Sequence, residues 1–156
     1  VAGGRIHLEM VGTVGSFDIF IDGALWLPHA KPTSFRNAGQ TLSASDGSLK
    51  PVGKLSTSSG LDGLGAYDLY EWFWSDASGS HSFQTNLRLY AETVVFEQRY
   101  PNGADATSKG DRDGLISTFP SFKVTNMSGL RRGYLQYDGD MVGSSFRTGE
   151  WNEKAK

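Results

Sequence analysis

Apolar and polar side chains alternate one for one in RIHLEMV (5–11) and again in FDIFID (17–22). A period of two is that of a strand with one buried face. Asp22-Gly23 then turns the chain into ALWL (24–27), a hairpin signal because this dipeptide tolerates the left-handed backbone of a tight turn. Stronger strand patterns cover 66–75, 81–90 and 93–100, with shorter ones at 115–118, 121–125, 133–138 and 141–147. Residues 28–60 are polar and turn-rich, with short strand signals near Leu42 and Leu49, and read as a long decorated connection. No segment keeps an apolar period of 3.6 over three turns. The pattern predicts an all-β chain, an antiparallel β-sandwich or jelly roll, forming one domain over 1–156.

The hydrophobic pattern also constrains register. If FQTNLRLYAETVVFEQRY (83–100) folds back around Ala91-Glu92, Leu89 faces Val94, Leu87 faces Phe96, Thr85 faces Gln98 and Phe83 faces Tyr100. Slipping by one residue would send every apolar side chain to the wrong face. The strand before it, YDLYEWFWS, carries aromatics on both faces. A five-residue loop DASGS (76–80) pairs Phe73 with Phe83, Leu69 with Leu87 and Tyr67 with Leu89. That register is the expectation, and it turns Tyr70, Trp72 and Trp74 away from the core. An even loop would bury the tryptophans instead. The expected register also strings Glu71, Thr85 and Gln98 across the core face, where a carboxylate needs partners, an edge or a site.

That register brings Tyr70, Trp72 and Trp74 beside Gln84, Asn86, Arg88, Glu97 and Arg99. Flat rings cover the apolar faces of a sugar, and neighbouring polar groups fix its hydroxyls, so these eight residues form a candidate carbohydrate-binding face. The competing reading is a face packed on a second layer or a neighbouring domain or subunit, with Asp68, Arg88 and Glu97 as ordinary cross-strand charges.

Other motifs carry less. GLDGLG (60–65) lacks the preceding strand and following helix of a phosphate loop, and reads as a turn into a strand, with Asp62 capping it or, as the less favoured alternative, binding a cation. GDRDGLIS (110–117) matches part of a calcium loop, but Lys109 stands at the first position and Pro120 where a bidentate glutamate belongs. A looser cation site would use Asp105, Asp111 and Asp113. His7, His29 and His81 have no metal-ligand spacing. No cofactor motif and no catalytic triad context is found, and Glu71 and Glu97 are the first carboxylates to consider for glycoside cleavage.

Composition narrows the class. Twenty glycines and four tryptophans suit strands joined by tight turns. A chain of 156 residues buries about 68–70% of its unfolded surface and needs no staples. The absence of cysteine excludes disulfides, thiolate metal sites and cysteine nucleophiles. With 15 basic and 17 acidic residues, net charge −2 and only Arg131-Arg132 adjacent, nucleic acid is not an expected partner. No apolar stretch approaches the ~20 residues of a membrane helix. The start at Val1 suggests a processed product or a piece of a larger one, and Asn126 in Asn126-Met127-Ser128 is a candidate glycosylation acceptor, pointing to an extracellular or secreted protein.

GLDGLGAYDLYEWFW, FQTNLRLYAETVVFEQRYPNG and ISTFPSF together resemble the mutarotase-like or lectin-like β-sandwich domains of large extracellular carbohydrate-active proteins. The nearest comparison is the N-terminal sandwich of family-31-type glycoside hydrolases. The resemblance spans roughly 60–147 and rests on strand texture. It implies a carbohydrate context and a non-catalytic role beside a catalytic barrel that this chain lacks. The expected function is therefore a non-catalytic carbohydrate-binding or enzyme-accessory module. The rivals are a jelly-roll glycan hydrolase or lyase, and a structural module of a filament or surface assembly.

Overall fold

The alternation at 5–11 and 17–22 becomes two antiparallel strands in a computed structural model that describes residues 4–12, 14–79, 82–107, 116–123, 133–138 and 145–150. Strand β1 (Ile6–Met10) pairs with β2 (Phe17–Ile21), and β2 pairs with β3 (Ala24–Leu27) through the Asp22-Gly23 turn, with a register shift at Ile19/Phe20. Asp22 and Gly23 both have positive φ, as the dipeptide foretold. The next hairpin joins β4 (Ser34–Asn37) to β5 (Gln40–Ser43), and β6 (Leu49–Pro51) follows. The remaining strands of the main sheet are β7 (Ser56–Asp62), β8 (Gly65–Asp76), β9 (Ser82–Leu89) and β10 (Val94–Arg99).

These last strands form a five-stranded antiparallel sheet in the order β10-β9-β8, with β6 and β7 sharing the far side of β8. The all-β class expected from the sequence is what the chain adopts, with no helix among the described residues. The supposed connection at 28–60 holds four strands, including β4 and the serine-rich β7. Side-chain alternation is weak in β7 because its neighbour β8, not burial, holds it. At 116–122 the expected strands reduce to two isolated bridges, Phe35 with Ser117 and His29 with Phe122. The contacts divide the chain into two compact units, Val1–Phe122 and Lys123–Lys156. The second contains the hairpin of β11 (Gly133–Asp138) and β12 (Ser145–Glu150), the latter placed later than the expected 141–147.

The β9–β10 register is the expected one, with Leu89 opposite Val94, Leu87 opposite Phe96 and Thr85 opposite Gln98. The β8–β9 register is not. Trp74 stands opposite Phe83, Trp72 opposite Thr85 and Tyr70 opposite Leu87, so six residues separate the last pair, Ser75 and Ser82. The parity of the loop is even and the tryptophans turn inward. Their burial follows from what meets them: Phe17 and Ile19 of β2, Phe35 of β4, Leu49 of β6 and Phe119 share one core with Trp72, Trp74, Phe83, Leu87 and Leu89. Phe17 stacks on Trp72 at 6.0 Å, and Phe35 meets Phe83 and Tyr100, each at 4.9 Å between centroids. Fully burying one such ring stabilises by roughly 1.5–3 kcal/mol, which a solvent-facing register would forgo.

Candidate functional site

The outer face of the five-stranded sheet, opposite this core, is built by alternation alone. On β9 the residues facing away from Phe83, Thr85 and Leu87 are Gln84, Asn86 and Arg88. The β10 register places Arg99 opposite Gln84 and Glu97 opposite Asn86. On β8 the matching residues are Tyr67, Leu69, Glu71 and Phe73, and on β7 they are Ser56, Ser58, Gly60 and Asp62. One rung thus runs Ser56, Glu71, Asn86, Glu97 across four strands.

Of the eight expected site residues, the five polar ones therefore share one face. The three aromatic ones do not join them, which corrects the expectation. Trp72 and Trp74 are 3% and 0% exposed, and Tyr70 is packed at the edge of the same core. Neither tryptophan has a ring face open to a ligand. The rings that do stand among the polar groups are Tyr67 and Phe73, each half-buried. A sequence signal for them existed in the same alternation of YDLYEWFW, read in its other parity. The glycosylation candidate Asn126, together with His81, Asp111 and Asp113, lies outside the described residues.

At one end of this face the side chains form a network. The Tyr90 hydroxyl donates to Asp62 Oδ2 at 2.7 Å, and Arg88 Nη1 lies 3.4 Å from the same oxygen. Arg88 Nη2 reaches Glu97 Oε1 at 3.0 Å, and Arg99 Nη2 reaches Glu97 Oε2 at 3.3 Å. The Arg88 guanidinium lies over the Tyr67 ring at 5.3 Å, an arrangement that holds the cation flat against the sheet. Tyr67 can lie there because Gly60 is opposite it: a Cβ on Gly60 would sit 2.5 Å from the Tyr67 ring and hydroxyl. The Tyr90 hydroxyl, the Leu64 amide and Arg88 hold the Asp62 carboxyl below the usual carboxylate range. Burial, then the Asp62 contact, pushes the Tyr90 phenol up.

GLDGLG is thus the tip of the β7–β8 hairpin. Asp62 Oδ1 accepts from the Leu64 amide at 2.9 Å, the capping role expected of it. A groove of 460 Å³ opens beside this tip, lined by Leu64, Gly65, Ala66 and Tyr90–Thr93. A second, of 330 Å³, runs along β7 and β8 past Ser58, Asp68, Leu69 and Tyr70.

In the middle of the face Asn86 is 0% exposed, and neither its Nδ2 nor its Oδ1 has a hydrogen-bond partner among the described residues. Arg88 Nε is also buried and has no partner among the described residues. Glu71, beside Asn86 on the rung, makes no hydrogen bond or ion pair with the described residues. Glu71 lies on the outer face, so the core-face polar rung expected with it does not form. Its other two members are satisfied separately: Thr85 accepts from Trp74, and Gln98 bonds Ser117 and Tyr100.

Buried amides are nearly always paired, so an orphaned donor and acceptor beside a free carboxylate mark a place where partner groups from outside would be stabilised. Searches against known proteins find no matching family model, no matching curated protein and no matching solved structure.

Proposed function

We propose that this chain is a non-catalytic carbohydrate-binding or enzyme-accessory module, a β-sandwich unit of a larger extracellular protein, and that its ligand face is the outer face of the five-stranded sheet. The observation that carries the reading is the set Gln84, Asn86, Arg88, Glu97 and Arg99 gathered on that face, with Phe73 and Tyr67 as its half-buried rings. Amide and guanidinium donors alternate there with carboxylate and amide acceptors, the chemistry that vicinal hydroxyls require. A half-buried ring beside them supplies the flat apolar floor for a sugar's C–H face. The resemblance to lectin-like sandwich domains supports the same ligand class. Glu97 is committed to Arg88 and Arg99, which favours a positioning role for it over acid–base turnover.

The test is binding of purified wild type, Phe73→Ala and Gln84→Ala to a panel of neutral oligosaccharides, read by glycan array and titration calorimetry. Wild type is expected to bind at least one glycan, and each variant to lose about tenfold in affinity with its melting temperature preserved. No binding across the panel, or full affinity in a folded Phe73→Ala, would overturn the reading.

A second reading, assembly through the sheet edge, is favoured by one observation. Among the described residues β7 pairs only with β8, and Leu61 and Leu64 at its end are 79% and 70% exposed. An open edge with neighbouring apolar side chains is a template for strand addition. Light scattering over a concentration series separates the two: a monomer throughout excludes assembly.

A further inference from the structure

The charges on the outer face do not balance locally, and the excess sits at one residue. Its ionisable side chains beside the rung are Asp62, Glu71 and Glu97 against Arg88 and Arg99. Arg88 is shared between Asp62 and Glu97, and Arg99 is held by Glu97. Lys50, on β6 beside Ser75, is two rungs from Glu71, about 13 Å along the strand. Among the described residues Glu71 alone is left without a cation, half-buried, next to the orphaned amide of Asn86. Directly opposed residues on one sheet face have Cβ atoms about 4.5–5.5 Å apart, so one small group can touch both side chains. Leu69 and Phe73 lie one step along β8 on either side and shield the position with apolar surface.

We infer that the rung Glu71–Asn86 is a subsite for a protonated amine carried on a hydroxylated ring, so that the ligand class is an amino sugar in its free-amine form. The inference rests on the carbohydrate reading above and narrows it. The ammonium donates to the Glu71 carboxylate and to Asn86 Oδ1, and a neighbouring hydroxyl accepts from Asn86 Nδ2. Together these satisfy both orphaned atoms and the free charge. Asn86 is the shortest side chain among its polar neighbours on this face, Glu71, Gln84, Arg88 and Glu97, so a ligand reaches it once half-exposed Glu71 and Gln84 swing aside. A metal cation suits the place less well. Glu97 is already neutralised by two guanidiniums, so a divalent ion would find Glu71 as its one free carboxylate there. An acidic sugar is disfavoured by Glu71 itself.

The experiment compares three probes by titration calorimetry in mildly acidic buffer, above the carboxylate range: a short glucosamine oligomer, its fully N-acetylated counterpart, and spermidine. Wild type and Glu71→Gln are measured together, the variant being isosteric and checked by thermal melting. Wild type is expected to prefer the free-amine oligomer about tenfold, the worth of one hydrogen bond between charged groups. Glu71→Gln should abolish that preference while still binding the N-acetylated oligomer. Equal affinity for the two oligomers in wild type, or a preference that survives Glu71→Gln, overturns the amine subsite and leaves the carbohydrate reading standing. Binding of none of the three probes overturns both. Glu71-dependent binding of spermidine with no oligomer bound supports the ammonium site and sinks the carbohydrate reading.

Discussion

The indole Nε1 of Trp74 donates a 2.8 Å hydrogen bond to Oγ1 of Thr85, and both side chains are fully buried. This bond crosses from β8 to β9 and exists only in the register that turns the tryptophans inward. Thr85→Val keeps the shape but strands the indole N–H, and is expected to cost about 1–3 kcal/mol. Trp74→Phe strands the threonine hydroxyl and leaves space in the core. The double variant should be less destabilised than the sum of the two by about 0.5 kcal/mol or more. Urea unfolding of the four proteins measures this, and strict additivity would show that the bond does not form.

Gly15 and Gly60 both face an aromatic ring, yet substitution at each should differ sharply. Gly15 has φ +78, and a Cβ there would lie 2.6 Å from the Trp74 ring, itself immovable in the core. Gly15→Ala is therefore expected to be strongly destabilising, by about 3 kcal/mol or more, combining backbone strain with overpacking. At Gly60 the neighbour is the half-exposed Tyr67, which can swing out. Gly60→Ala should cost about 1 kcal/mol and release the Arg88 guanidinium from its ring. Thermal melts rank the two, and a milder Gly15→Ala would contradict the packing described.

The β4–β5 turn places Ala38 at φ +47, where a Cβ is unfavourable, while its amide donates to the Asp105 carbonyl at 2.8 Å. Ala38→Gly relieves the strain and keeps that bond. A gain of about 0.5–1 kcal/mol is expected, the relief exceeding the extra chain entropy. Denaturant midpoints check it, and destabilisation would mean that the left-handed turn is absent.

Asp62 and Tyr90 give a pH signature with a definite sign. The Asp62 carboxyl is lowered in the folded state, so its contribution is present above about pH 4 and fades as pH falls through its lowered value. The Tyr90 phenol is raised by burial and by Asp62, so its contribution is present below about pH 10 and fades as pH rises through its raised value. Tyr90→Phe removes the phenol's titration and the hydroxyl's share of the Asp62 shift, which is the largest. The stability gap between wild type and this variant should be constant near neutrality and narrow at both extremes. A gap that stays constant into acid would contradict the Tyr90–Asp62 bond.

The β9–β10 pairing was legible because Phe83, Leu87 and Leu89 match Val94 and Phe96 in only one register. That pairing also sufficed to gather Gln84, Asn86, Arg88, Glu97 and Arg99 on one face. The β8 register was not legible. Tyr67, Leu69 and Phe73 on one side of YDLYEWFW look as apolar as Tyr70, Trp72 and Trp74 on the other. What decides between them is distant in sequence: Phe17 stacks on Trp72, Phe119 packs edge-on against Phe17, and Thr85 offers an acceptor to Trp74. Strand β7 was missed for a related reason. Ser56–Asp62 has no alternation of its own and is held by its ladder to β8.

The central claim, that a sugar meets the outer face at Asn86, is tested most directly by following the Asn86 side-chain NH₂ resonances during a glycan titration. That amide has no partner among the described residues, so ligand hydrogen bonding must move it. The expected result is a saturable shift of Asn86 together with Gln84 and Phe73, while the Trp74 indole N–H stays fixed in its bond to Thr85. A saturable glycan titration that leaves Asn86 unmoved, or that shifts the Trp74 indole instead, would contradict the account.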